Sequence, residues 1–123
     1  MNTSACVEFS DLEGDDFLVE LRSSDYRAVR RVCAYTDPRG IARIFREAAN
    51  SWRGWSGVKT WCSIEGELTL SLKHDALGHV AMEVSVHHDS GNLDPWRLRA
   101  EIGLEAGQLE RLASEAQRFF GSP

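Results

Sequence analysis

The chain has 123 residues, 42% of them hydrophobic and 27% charged, which suits one folded domain and excludes both a disordered segment and a pair of ordinary domains. Fourteen lysines and arginines stand against nineteen aspartates and glutamates, a formal net charge of −5, and that balance disfavours duplex nucleic acid or an anionic membrane as partner, because both reward neutralising cations. No apolar run approaches the ~20 residues needed to cross a bilayer, and Met1–Cys6 lacks the basic and apolar regions of a secretory signal, so the expected compartment is the cytoplasm.

In chain order, Val7 and Phe9 alternate with Glu8 and Ser10, and Glu13–Asp16 supplies turn chemistry. Phe17, Val19 and Leu21 read as a strand with one wet face. After a turn at Ser23–Asp25, residues 26–36 form a third strand with Arg27 and Arg31 outward. Asp37-Pro38 is a helix start, with the aspartate placed to cap and the proline pre-set for the first helical position. Ile41, Phe45, Ala48, Ala49 and Trp52 then give an apolar stripe, and Gly54 and Gly57 end the helix.

Cys62, Ile64, Gly66, Leu68, Leu70 and Leu72 share one parity, as one strand bent at Gly66 or two strands broken there. Val80, Met82, Val84 and Val86 repeat the pattern after His74–Gly78. A hairpin keeping both apolar rows on one face sets Leu72 opposite Val80, Leu70 opposite Met82 and Leu68 opposite Val84. A polar loop at Asp89–Pro95 precedes an amphipathic strand carrying Trp96, Leu98, Ala100, Ile102 and Leu104. The final helix, Ala106–Phe120, buries Leu109, Leu112, Ala113, Ala116, Phe119 and Phe120. The expected fold is one α+β domain over residues 1–123: a largely antiparallel, curved sheet of six to seven strands with two helices on one face.

Chemistry-bearing motifs are sparse. Cys6, Cys33 and Cys62 are odd in number and form no CxxC pair, which argues for reduced thiols over a disulfide framework or zinc knuckle. His87 and His88 point to opposite faces of a strand, His79 lies roughly 26 Å from His87, and His74, Asp75 and His79 flank a loop as ordinary surface groups. No GxSxG elbow, HExxH or phosphate loop is present, so no catalytic residue, metal or cofactor is expected. Glu65 and Glu67 share the wet face of a strand, where carboxylates are usually solvated.

The unusual segment is Trp52-Arg53-Gly54-Trp55-Ser56-Gly57-Val58-Lys59-Thr60-Trp61, with three of the four tryptophans. Trp and Arg are enriched at binding hot spots. Trp52 and Trp55 read as core packing. Trp61 has the opposite parity to Cys62 and Ile64 and is expected on the far face of the sheet. Trp61, Arg53, Lys59, Trp55 and Glu65 are therefore the candidate partner-binding residues.

That segment, with Glu65-Gly66-Glu67-Leu68 and Asp75-Ala76-Leu77-Gly78-His79-Val80, resembles a family of small bacterial domains of unknown function. Phe17–Leu21 and Leu104–Glu110 extend the likeness over nearly the whole chain. The resemblance implies no activity and no catalytic residues; Cys62 departs from it. In general shape the sequence is also similar to small immunity proteins that neutralise bacterial toxins. The expected function is a non-enzymatic protein-binding domain of immunity type, its partner another protein and a basic one by charge, with homo-oligomerisation left open. The alternative is a small-ligand or enzyme accessory domain with a pocket between the sheet and the tryptophan segment.

Overall fold

The computed structural model describes residues 5–88 and 94–121. Alternating apolar and polar residues give seven strands: β1 (Cys6–Glu13), β2 (Asp16–Arg22), β3 (Arg27–Cys33), β4 (Val58–Cys62), β5 (Leu68–His74), β6 (His79–His88) and β7 (Trp96–Glu105). Helix α1 (Gly40–Asn50) separates β3 from β4, and α2 (Leu109–Phe120) follows β7 through a short 3-10 turn. Most of the loop expected at Asp89–Pro95 lies outside the described residues.

The class is α+β, but the expected single sheet of six to seven strands is two antiparallel sheets, β1-β2-β3 and β4-β5-β6-β7. The chain leaves β3 for α1 and returns at β4, which pairs with β5 alone. The outer edge of β3 meets the end of the β5–β6 hairpin through side chains instead. Cys33 N–H donates to Glu67 Oε2 at 3.4 Å, and Arg30 Nε–H donates to the His87 carbonyl at 3.4 Å.

In the first sheet Phe17, Val19 and Leu21 of β2 are fully buried, and β1 sets Val7 opposite Leu21 and Phe9 opposite Val19. The second sheet corrects two expectations. Cys62 to Leu72 is not one face, because a turn at Ser63–Gly66, closed by Gly66 N–H on the Ser63 carbonyl at 2.9 Å with Gly66 at φ +76°, inverts the parity. Trp61 thus pairs with Leu70 and turns inward, while Cys62 and Ile64 face solvent. The β5–β6 rows share the expected buried face, but Leu68 lies opposite Val86, Leu70 opposite Val84 and Leu72 opposite Met82, two residues from the expected register. The Asp75 carboxylate accepts the Leu77 and His79 amides at 2.7 and 2.9 Å, so the loop tightens to Asp75–Gly78 and His74 and His79 join the strands. A shift of two keeps the face.

Asp37 does not cap α1. Its two carboxylate oxygens accept from Arg43 at 2.9 and 2.5 Å, and that guanidinium holds its carboxyl below the usual range against the opposing effect of burial. The helix buries Ile41, Ala42, Ile44, Phe45, Ala48 and Ala49 and ends at Asn50, so Trp52 lies beyond the stripe and is 51% exposed. A capping box between Glu105 and Gln108 leads into α2, with the Glu105 amide donating to Gln108 Oε1 at 2.7 Å. Phe120 packs edge-on against Phe9 and Phe17 at 5.3 and 5.1 Å between centroids. Buried side chains of both sheets and both helices form one cluster. Among the described residues no helix is long and apolar enough to cross a membrane.

Candidate functional site

Several apolar side chains that alternation assigns to the core are only half-covered. Val7 and Phe9 of β1, Ile102 and Leu104 of β7, and Leu112 and Phe119 of α2 are all partly exposed, and all line one cavity of about 400 Å³. Because β1 is the outer strand of one sheet and β7 of the other, this groove lies where the two sheet edges fail to join. Met82 and Phe45 reach it from the core. On α2, Ala116 sits four residues after Leu112 and three before Phe119, and its small side chain leaves the space between them open.

Among the described residues, the charged residues at the groove are Glu8 and Glu115, and of these Glu8 turns its side chain to the opposite face of β1 from Val7 and Phe9, beside Glu20 and Arg22. Glu8 Oε1 pairs with Arg22 at 3.1 Å and Glu115 Oε2 with Arg111 at 3.1 Å. Both pairs are well exposed, and such pairs contribute little.

The tryptophan segment is divided. Trp61 is 3% exposed, so the expected outward position is corrected: the turn at Ser63–Gly66 had reversed the parity on which it rested. Its indole N–H donates to the Asp37 carbonyl at 3.1 Å, and its ring lies so close to Gly40 that a Cβ there would collide with it. Trp55 is half-buried, with the Lys59 ammonium 5.2 Å above its ring and the His74 ring edge-on at 5.0 Å. Arg53 stacks over the exposed Trp52 at 5.1 Å. Glu65 is exposed in the β4–β5 turn, at the far end of β4 from Arg53. Trp55 and Lys59 are thus in contact and Arg53 lies against Trp52, while Trp61 is buried and Glu65 lies beyond the other end of β4.

Glu67, expected on the wet face with Glu65, is 5% exposed because the same turn folds it into the seam between the sheets. Burial opposes its charge, but Ser63 Oγ–H at 2.5 Å, its own amide, the Cys33 amide and Arg30 together hold its carboxyl below the usual range. For Cys33 the Tyr35 backbone favours the thiolate, yet burial and the Asp16 and Glu67 carboxylates outweigh it and push the thiol up, which makes this cysteine a poor nucleophile. His79 lies 3.3 Å from Asp75 and 3.6 Å from Glu105. Among the described residues no group of three or more His, Cys, Asp or Glu is arranged to hold a metal ion.

A family model described as a family of unknown function (DUF6228) matches residues 2–123. The chain belongs to that family. No curated protein matches it. The DUF6228 description brings no activity and no site residues, so the chemistry must be read from this chain's own side chains.

In this DUF6228 chain the residues missed by sequence reasoning are the groove walls. Ile102, Leu104, Leu112 and Phe119 read as core because alternation reports which face is apolar, not how completely it is covered. One signal was present: Glu115 falls between Leu112 and Phe119 at helical spacing, an acid on the margin of an apolar stripe.

Proposed function

We propose that this chain is a non-enzymatic binding domain whose site is the groove between β1, β7 and α2, and that it takes a small, mainly apolar ligand. The observation that carries this is the cavity of about 400 Å³ walled by half-covered apolar side chains from three elements. Ligand pockets are typically apolar clefts of roughly 300–1,000 Å³ with a few polar groups for orientation. The Glu115 carboxylate on the rim suits orientation of a bound molecule.

Titration with N-phenyl-1-naphthylamine, an uncharged apolar fluorophore, tests it. A saturable one-to-one rise in emission is expected. Ile102→Arg, laying its aliphatic stem along the wall, and Leu112→Trp, filling the opening, should each weaken binding at least about tenfold with the melting temperature little changed, since tenfold corresponds to ~1.4 kcal/mol. No saturable signal, or the same affinity in both variants, contradicts the assignment.

A second reading, a protein partner, is supported by Trp52, 51% exposed beneath the Arg53 guanidinium, since Trp and Arg are enriched at interface hot spots. The net charge of −5 favours a basic partner, and an immunity-type role is the form this reading takes. Trp52→Ala with Arg53→Ala should then reduce recovery of that partner without lowering the melting temperature; unchanged recovery removes this surface from consideration.

A further inference from the structure

We infer that the free edge of β7 is an interface with a second copy of this chain, the two β7 strands pairing antiparallel about a two-fold axis at Ala100. An outer strand presents alternate amides and carbonyls without partners, and folded proteins normally guard such an edge. Three of the four outer strands are guarded. In β1 the register shifts between Ser10 and Glu13, with Asp11 at φ +53°. The five residues of β4 lie against α1, the Trp61 ring on Gly40 and Lys59 4.0 Å from Glu47. The edge of β3 meets Glu67 and His87. By contrast, β7 runs ten residues in unbroken register with β6, holds no proline, and pairs with no strand on its other side among the described residues. Its sequence is complementary to itself. On the inner face Leu98, Ala100, Ile102 and Leu104 are half-covered and Trp96 is 36% exposed. A copy centred on Ala100 sets Trp96 opposite Leu104, Leu98 opposite Ile102 and Ala100 opposite itself. On the outer face the same register sets Arg99 opposite Glu101 twice, whereas centring on Arg99 or on Glu101 would place like charges on the axis. Glu101 also points to a partner. It lies directly opposite Glu83 of β6, and Arg99 gives its Nε–H and Nη2–H to Glu83 at 3.1 and 2.6 Å, so among the described residues Glu101 has no ion pair. The partner's Arg99 supplies one across the axis.

Sedimentation equilibrium of the wild type and of two charge reversals tests this, and neither reversed residue lines the groove. The wild type is expected to form a reversible, concentration-dependent dimer below about 0.5 mM. Arg99→Glu makes both facing pairs acidic and Glu101→Arg makes both basic, so each should weaken self-association at least about tenfold. Mixed one to one, the two variants should form a heterodimer within about threefold of the wild-type affinity, because every acidic residue again faces a basic one. That recovery also shows both variants to be folded. A wild type that stays monomeric, a dimer indifferent to both reversals, or a mixture that does not recover overturns the inference and leaves the groove assignment standing.

Discussion

At the scale of single residues, the tryptophans separate cleanly by burial. Trp61→Ala should cost about 3–5 kcal/mol, because it empties a core position and orphans the Asp37 carbonyl contact. Trp52→Ala should stay within ~0.5 kcal/mol as an exposed substitution. Gly40→Ala should cost about 1–3 kcal/mol through the clash with the Trp61 ring. Urea unfolding of the three variants checks the set, and a mild effect at Trp61 contradicts the packing. The clustering of aromatic residues was legible in the sequence; which of them turn inward was not, because one left-handed glycine at Gly66 reverses the strand parity. Glu67 carries a pH prediction. Its carboxyl is lowered in the folded protein despite burial, so it contributes stability at pH above the unfolded carboxylate value, and that contribution is lost as pH falls through the folded value. Wild type should lose stability on acidification more steeply than Glu67→Gln, measured as urea midpoints from neutral pH downward. Parallel profiles would contradict the assignment.

At the scale of elements, strand existence followed from alternation, and so did facing outside the Trp61–Glu67 stretch, whereas register depended on a turn that alternation does not describe. The pattern of Leu68, Leu70 and Leu72 against Val80, Met82 and Val84 fixes a face but permits shifts by two. The Asp75 side chain, bonded to the Leu77 and His79 amides, makes the choice. Asp75→Ala should therefore cost about 1 kcal/mol, the usual worth of such a side-chain-to-amide contact, while Asp75→Asn, which retains an acceptor, should cost less. Equal urea midpoints for the two variants would show that the turn holds without the side chain. The start of α1 was misjudged for a related reason. Asp37 precedes a proline and reads as a cap, but a bidentate arginine at Arg43 is a stronger partner for its carboxylate than backbone amides.

At the scale of the whole molecule, the strand count to within one, the helix count and the α+β class were legible from the pattern, and the division into two sheets was not. Local alternation carries no information about which edges meet. The seam depends on Glu67, Cys33, Arg30 and His87, which come from separate parts of the chain. The same division leaves β1 and β7 as facing outer strands with the groove between them, so the proposed site is a consequence of topology and of no short motif. The most direct test is a methyl-resolved NMR titration of the wild-type protein with N-phenyl-1-naphthylamine. Contacts from the probe to Ile102, Leu104, Leu112 and Met82 are predicted, with the Trp52 indole resonance unmoved. Contacts centred on Trp52 and Arg53, or none to the groove methyls, would contradict the account.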